Sequence, residues 1–257
     1  MGNDTLILAN MSWPELERIL PSVELAIIPT GSCEQHGPNM TFQTDAGISY
    51  ALAERIAQRL YPRALLTPVV PFGFSFLHKN FPGMITLRYE TLAGIIEDMV
   101  VSLKRMGIKA FLIVNAHGHN MPCLRVIMTK IRHEQQVKIA TSYYISLASD
   151  VIKEGLESDR YGHACEMEVS MALYLAPRLV KHGQLTKGDL KPLPYPYSRG
   201  EISLAWPFTY DQLTANGALG NAPAASLEFG REITETTISR TLEFVEALLA
   251  EGSPEWD

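Results

Sequence analysis

Short apolar runs and longer segments with helical spacing alternate along this chain. Four apolar runs, at 23–28, 64–70, 110–114 and 137–144, have the length of buried β-strands. Other segments repeat apolar residues every four positions, as Ile48, Leu52, Ile56 and Leu60 do. This spacing predicts a short helix that opens with the capping sequence Ser-Trp-Pro-Glu, followed by five longer ones: 12–19, 45–60, 89–106, 121–135, 166–176 and 233–249.

Strands that alternate with helices are typical of α/β domains with a parallel sheet. We therefore predict one α/β domain over residues 1–257, with a mainly parallel sheet, helices on both faces, and the active site at the C-terminal ends of the strands. Four prolines between 191 and 207 predict an ordered excursion or lid. The last residues, 252–257, are expected to form a frayed tail.

Residues that bind metals or carry protons fall in two loops that follow predicted strands, 31–45 and 115–120. Because the carboxyl ends of parallel strands share one edge, these loops should bring five side chains together: Glu34, His36, Asp45, His117 and His119. Imidazoles and carboxylates suit Zn, Mn or Fe. Five such groups exceed what one catalytic ion usually takes from protein, so the pattern predicts two ions with Asp45 as their bridge.

A third cluster, at 163–168, opens a predicted helix. His163 is a candidate proton donor, because histidine titrates near neutral pH. Glu166 and Glu168 are two positions apart on a helix and point in different directions, so at most one should face the site. Candidates for contacts to the substrate are His78 and Ser75, in the loop after the second strand, and Gly118.

Each of these residues also has an ordinary structural interpretation. Asp45 alone would be a helix N-cap, Glu34 a surface carboxylate, and His163 a capping or core histidine. Cys33 and Cys165 could be nucleophiles, but small buried fillers are the simpler interpretation. The metal site is favoured because histidine-rich loops, each bounded by glycine, coincide at one edge of the sheet.

Composition narrows the class of protein. The chain has 257 residues, of which 28 are acidic and 22 basic, and its net charge of −6 argues against a broad nucleic-acid surface. No apolar run approaches the roughly 18 residues of a membrane span. The first residues lack a signal-peptide pattern, and three cysteines are too few for a disulfide framework. We expect a cytoplasmic protein with no nucleic-acid or membrane partner.

Three segments carry a resemblance to a known family. Residues 31–38, Gly-Ser-Cys-Glu-Gln-His-Gly-Pro, with the Thr-Asp pair at 44–45, resemble the signature of the creatininase family of metal-dependent amidohydrolases. Residues 115–120 are similar to its Asn-Gly-His-Gly-Gly-Asn loop, and residues 163–170 to a further element that begins His-Ala-Gly. The resemblance extends from about residue 6 to residue 247.

The resemblance implies two divalent ions, Zn or else Mn or Fe, and a homo-oligomer that is often a hexamer. It also implies that His163 is the general acid. The implied metal ligands, with Asp45 bridging the two ions, are Glu34, His36, Asp45 and His117. At position 119 family members have glutamate or glycine, whereas this chain has a histidine. Two alternatives stay open: His119 binds metal, or Glu168 completes the shell and His119 acts on substrate. Residues 143–163 contain no tryptophan to sandwich creatinine, which argues against creatinine as the substrate.

Three functions are compatible with the sequence. The first is a di-metal hydrolase that cleaves a C–N bond of a small cyclic amide through a metal-bridging hydroxide, with His163 protonating the departing nitrogen. The second keeps the metals but opens a cyclic keto-polyol of the inosose type at a C–C bond. The third is a non-catalytic, zinc-stabilised binding module. Structural zinc sites use Cys and His, so a carboxylate-rich cluster argues against it.

Overall fold

A five-stranded parallel sheet with the strand order β1-β3-β2-β4-β5 organises the protein. The structure is a computed structural model that describes residues 4–192 and 207–250. The strands are β1 (Leu6–Ile7), β2 (Leu25–Thr30), β3 (Ala64–Leu66), β4 (Ala110–Asn115) and β5 (Lys138–Tyr143). Every residue of the two longest central strands, β2 and β4, is buried, as expected for a parallel sheet covered on both faces.

Eight α-helices surround the sheet in the described residues: α1 (Trp13–Ile19), α2 (Thr44–Arg59), α3 (Tyr89–Arg105), α4 (Asn120–Gln135), α5 (Tyr144–Leu147), α6 (Ser149–Gly155), α7 (Glu166–Leu175) and α8 (Leu227–Ala250). Alternate residues of β2 serve opposite faces: Leu25 and Ile27 pack in one core with α2 and α8, whereas Ala26 and Ile28 pack in another with α3 and α4. The predicted single-domain α/β fold with helices on both faces is confirmed.

A third core lies around α7 and contains Tyr144, Ile152, Met167 and Phe229. Helix α7 packs closely along α8 because Gly230 leaves room for the backbone of Ser170: a Cβ at position 230 would lie 1.9 Å from that residue's carbonyl oxygen. This close approach holds α7, which carries the third polar cluster, against the body of the domain.

Some predicted boundaries were wrong. Strand β3 ends at Leu66 instead of continuing to residue 70, since Pro68 has no N–H to donate to a neighbouring strand. Helix α8 begins at Leu227, six residues before the predicted start. The two-residue strand β1 and the short helices α5 and α6 were not predicted. Most of the expected lid at 191–207 and the whole tail at 252–257 lie outside the described residues.

No helix in the described ranges combines the length with the apolar character that crossing a bilayer requires.

Candidate metal centre

The ends of β2 and β4, the start of α2 and the start of α7 converge on one buried cluster at the C-terminal edge of the sheet. Its members are between 1% and 5% exposed: Glu34, His36, Asp45, His117 and Glu168. The loops after β2 and β4 lie side by side because Thr30 and Asn115 are register partners in those strands. The structure therefore brings together in this cluster four of the five side chains that the sequence predicts to meet at this edge, all except His119.

Asp45 lies at the centre, with its two carboxylate oxygens facing different partners. Its Oδ2 is 3.2 Å from His117 Nδ1, which is also 3.2 Å from Glu34 Oε2. Its Oδ1 is 3.2 Å from His36 Nε2, which lies 3.8 Å from Glu168 Oε2. We call Glu34, Asp45 and His117 the first group and His36, Asp45 and Glu168 the second group; each converges closely enough to hold one ion.

Several of these buried atoms lack the hydrogen bonds that burial normally demands. Glu34 Oε2, His36 Nε2 and Asp45 Oδ2 are inaccessible to solvent and make no hydrogen bond of acceptable geometry. A divalent cation would satisfy such atoms, and a mixed set of imidazole nitrogens and carboxylate oxygens suits Zn or Mn. The residues present therefore fit a pair of metal ions that share Asp45.

The outer ring nitrogens of His117 and His36, which are those that do not face Asp45, support the same conclusion. His117 Nε2 is 3.0 Å from the carbonyl oxygen of Phe74, to which its N–H donates. His36 Nδ1 donates in the same way to the carbonyl of Glu34, at 3.3 Å. A donor on the outer nitrogen leaves a lone pair on the inner one, the tautomer that a metal-binding imidazole needs.

The electrostatics of the cluster favour positive charge. Burial alone lowers the pKa of His36, but the carboxylates of Asp45, Glu168 and Glu34 outweigh it and raise that pKa to about 9. Burial likewise opposes the charged form of His117, yet Glu34 and Asp45 raise its pKa well above the usual value. Burial raises the pKa of Glu168 to about 7. Without metal, protons bound to these side chains therefore supply the positive charge that metal cations would otherwise provide.

Of the two acidic residues that begin α7, Glu168 faces the cluster and Glu166 does not. Glu168 Oε2 accepts from the Ala164 N–H at 2.5 Å, and Tyr144 donates to its Oε1 at 3.1 Å. Glu166 instead accepts from the backbone N–H groups of Ser158 and Asn221, so it ties loops together. As expected from their spacing, only one of the pair reaches the site.

Histidines that the sequence left uncertain surround this cluster. His119 belongs with Glu34 and His78 in a further close group and is absent from both groups that contain Asp45. Glu168 therefore occupies the place beside His36 that His119 was a candidate to fill. His163 points its Nδ1 toward Glu34 Oε1, 3.6 Å away, and its Nε2 donates to the Gln35 carbonyl at 2.7 Å.

A cavity of about 260 Å³ opens onto the cluster, and twelve residues line it: Glu34, Asp45, Ala116, His117, Gly118, His119, Tyr143, Ile145, Gly162, His163, Glu168 and Tyr210. Gly118, expected to contact substrate, lies on its wall. Ser75, expected to do the same, does not: it is fully buried against Ser32 and lies behind His117. His78 is also fully buried, so it reaches the cluster through Glu34 and does not line the cavity.

The structure contradicts the ordinary interpretations of Asp45 and Glu34 and agrees with that of Cys165. Asp45 makes no capping hydrogen bond, since α2 starts one residue earlier, at Thr44, with Gln43 in the N-cap position. Glu34 is buried, so it is no surface carboxylate. Burial raises the pKa of the Cys165 thiol to about 12, in keeping with a core filler, whereas Cys33 is half-buried.

Three site residues were missed. Gln35 stands between two predicted ligands and contacts the rings of His78 and His163. Tyr143 ends β5, and the rule that places ligands at strand ends would have found it. Tyr210 stacks on His78 with ring centroids 3.9 Å apart, but it lies in a short 3-10 turn with no pattern in the sequence to mark it.

The chain is similar to known proteins over most of its length. The model of the creatininase family, described as creatinine amidohydrolase, matches residues 9–245. The creatinine amidohydrolase of Pseudomonas putida is 25% identical, over 91% of this chain and 94% of its own. A mycofactocin precursor peptide peptidase of Mycobacterium ulcerans (strain Agy99) is 27% identical, over 91% and 85%. The 3-dehydro-scyllo-inosose hydrolase of Thermotoga maritima is 24% identical, over 93% and 78%.

Solved structures share the fold. A creatinine amidohydrolase (creatininase) superposes with a TM-score of 0.82, at 23% identity, over 97% of this chain and all of its own. A manganese form of creatininase gives a TM-score of 0.78 at 23% identity, over 96% of this chain and all of its own. With a family model that spans nearly all of its length, the chain belongs to the creatininase family of hydrolases.

Proposed function

We propose that this hydrolase cleaves a C–N bond of a small amide at a pair of divalent cations, Zn being the first candidate and Mn or Fe the alternatives. One observation carries the proposal: the two oxygens of Asp45 face two separate sets of buried, unsatisfied ligand atoms. A closed structural zinc site would be built from Cys and His, whereas this one is rich in carboxylates and opens onto a cavity.

In this proposal Glu34, Asp45 and His117 hold one cation, while His36, Asp45 and Glu168 hold the other. Two divalent ions supply a water nucleophile at neutral pH and polarise the substrate carbonyl. The protein contributes orientation: each ligand is fixed by its own hydrogen bond or by burial, which spares the cost of rearranging during reaction.

His163 is proposed to move the proton. Its Nε2–H is held by the Gln35 carbonyl, so its lone pair is on Nδ1, which lies 3.6 Å from Glu34 Oε1, and the residue lines the cavity. Nδ1 takes a proton from the attacking water as the C–O bond forms. It then gives that proton to the nitrogen as the C–N bond breaks, so the products are a carboxylic acid and an amine. Proton transfer of this kind contributes about 10²–10⁴-fold in rate.

The cavity limits the substrate class. Its volume of about 260 Å³ admits a small molecule or the end of a peptide. Two related proteins, a creatinine amidohydrolase and a peptide peptidase, are named for cleaving C–N bonds. A second candidate is the opening of a cyclic keto-polyol at a C–C bond, which the inosose hydrolase relative and the hydroxyl partners Tyr143 and Tyr210 support. Assays of creatinine, formamides, short peptides and an inosose side by side would separate the two.

The test of the metal proposal is Asp45→Asn, which keeps the side chain's shape but removes its charge. We expect bound metal to fall from two ions per chain to one or none, and kcat to fall by at least about 10³-fold, since both ions share this carboxylate. Elemental analysis and turnover measure the two effects. Asp150→Asn is the control, because Asp150 is an exposed partner of Arg240. Full activity in protein stripped of metal would disprove the proposal.

A further inference from the structure

The Glu34, His78 and His119 group raises the question of whether His78 is a metal ligand. His78 Nε2 lies 3.4 Å from Glu34 Oε1, and the ring is fully buried. Its Nε2 makes no hydrogen bond of acceptable geometry, as is also true of His119 Nδ1. By distance alone, these three residues would form a third cation site. The answer depends on which ring nitrogen of His78 carries the hydrogen.

Gln35 determines that tautomer, because its side-chain amide is held in one orientation. Its Oε1 accepts from the backbone N–H of Gly37 at 2.7 Å. Its Nε2 donates to the carbonyl of Gly217 at 3.0 Å, and Gly217 adopts a φ of +83°, where glycine is favoured. Both partners are backbone groups that cannot exchange donor for acceptor. The amide therefore cannot flip without losing both hydrogen bonds.

The second hydrogen of the Gln35 amide points at His78 Nδ1, which is 3.0 Å away. The other nearby nitrogen, His163 Nε2, already donates to the Gln35 backbone carbonyl at 2.7 Å and has no lone pair to offer. His78 Nδ1 must therefore be the acceptor, and the hydrogen of the neutral ring lies on Nε2. The Tyr210 ring stacks on the His78 ring, with their centroids 3.9 Å apart, and holds the plane of the His78 ring in place.

We propose that Gln35 holds His78 as the Nε2–H tautomer, so that His78 is a positioning residue whose N–H faces Glu34 Oε1 across 3.4 Å and is not a metal ligand. The inference rests on the proposed function, in which Glu34 Oε2 binds the first cation. An N–H directed at Oε1 leaves Oε2 free for the cation. Outer-sphere partners of this kind change metal affinity by about 10–100-fold.

Two substitutions of His78 test its donor role. Both His78→Leu and His78→Gln remove Nδ1, but the glutamine places an amide N–H where Nε2–H was. We expect His78→Leu to weaken zinc binding 10–100-fold, as measured by competition with a chelator. His78→Gln should stay within about threefold of the unmodified protein. His182→Gln, at an exposed site, is the matched control. If His78→Gln binds zinc as weakly as His78→Leu, or if either variant loses one ion from a total of three, the inference is wrong.

A double-mutant cycle tests the role of Gln35. In Gln35→Leu no amide N–H holds His78 Nδ1 as an acceptor, so the ring is free to carry its hydrogen on Nδ1 in place of Nε2. We expect zinc affinity to fall by no more than in His78→Leu, and Gln35→Leu/His78→Leu to bind no more weakly than the weaker single variant. Losses that multiply would mean that Gln35 acts independently of His78 and would overturn the inference. Thermal unfolding of each variant shows whether it is folded, and the His78 pair tests the proposal without changing Gln35.

Zinc affinity also separates this inference from the proposed function. Equal affinities in all variants, with two ions bound per unmodified chain, overturn only the role of His78. Expected affinities without hydrolysis of any tested substrate overturn only the reaction. An unmodified chain that binds no zinc, manganese or iron overturns both.

Discussion

Asp45 occupies a position that favours a buried, charged carboxylate. It lies in the first turn of α2, where the helix dipole favours a negative charge, and its oxygens face His36 and His117 at 3.2 Å. Two histidines hydrogen-bonded by their outer nitrogens to backbone carbonyls hold their inner nitrogens toward this carboxylate. The sequence identified these three residues, since their positions after strands or at a helix start follow from the hydrophobic pattern alone.

Metal binding should depend on pH through His36. Its neighbouring carboxylates raise its pKa to about 9 in the metal-free chain, so a cation must displace a proton. Proton release on binding means that affinity increases with pH, and we expect zinc affinity to rise from pH 6.5 to about 9. Chelator competition at several pH values measures this rise, with His182→Gln as the control. An affinity that does not change with pH in this range would contradict it.

The contact between α7 and α8 determines where Glu168 lies. Gly230 on α8 touches the carbonyl of Ser170 on α7, and the Ser226 N–H donates to Ser170 Oγ at 2.9 Å. Glu168 belongs to the same short helix, so its distance from His36 depends on how α7 packs against α8. This is why sequence spacing could state that at most one of Glu166 and Glu168 faces the site but could not say which.

Two glycine substitutions in helices should have opposite effects on stability. A Cβ at Gly230 would meet backbone 1.9 Å away, whereas at Gly94 on α3 nothing lies within 4 Å. We expect Gly230→Ala to lower the free energy of unfolding by about 1–3 kcal/mol through overpacking. Gly94→Ala should raise it by up to about 1 kcal/mol through helix propensity. Urea unfolding measures both, and a stabilised Gly230→Ala variant would refute the close packing of α7 on α8.

The candidate ligands come from four segments that are far apart in the sequence: the loops after β2 and β4, the start of α2 and the start of α7. Metal bound here would join these segments at one point. A ligand that binds only the folded state stabilises it, by about 2.7 kcal/mol at a concentration of 100 times Kd.

Removing metal should therefore lower the thermal stability of the protein. We expect a chelator to reduce Tm and added zinc or manganese to restore it, because both suit nitrogen and carboxylate ligands. Differential scanning calorimetry measures the change. Asp45→Asn should show a smaller response to the chelator, and an equal response in that variant would contradict the assigned ligands.

The hydrophobic pattern was sufficient for four of the five strands and six of the eight helices in the described residues, because the sheet buries its central strands on both faces and the longer helices carry regularly spaced apolar residues. It also placed Glu34, His36, Asp45 and His117 at one edge, since parallel strands end together. Packing of distant segments decided the rest. Tyr210 reached His78, Glu168 replaced His119 beside His36, and Gln35 selected a histidine tautomer through contacts that no local pattern encodes. Such contacts depend on where loops separated by more than a hundred residues meet, as Gln35 and Gly217 do.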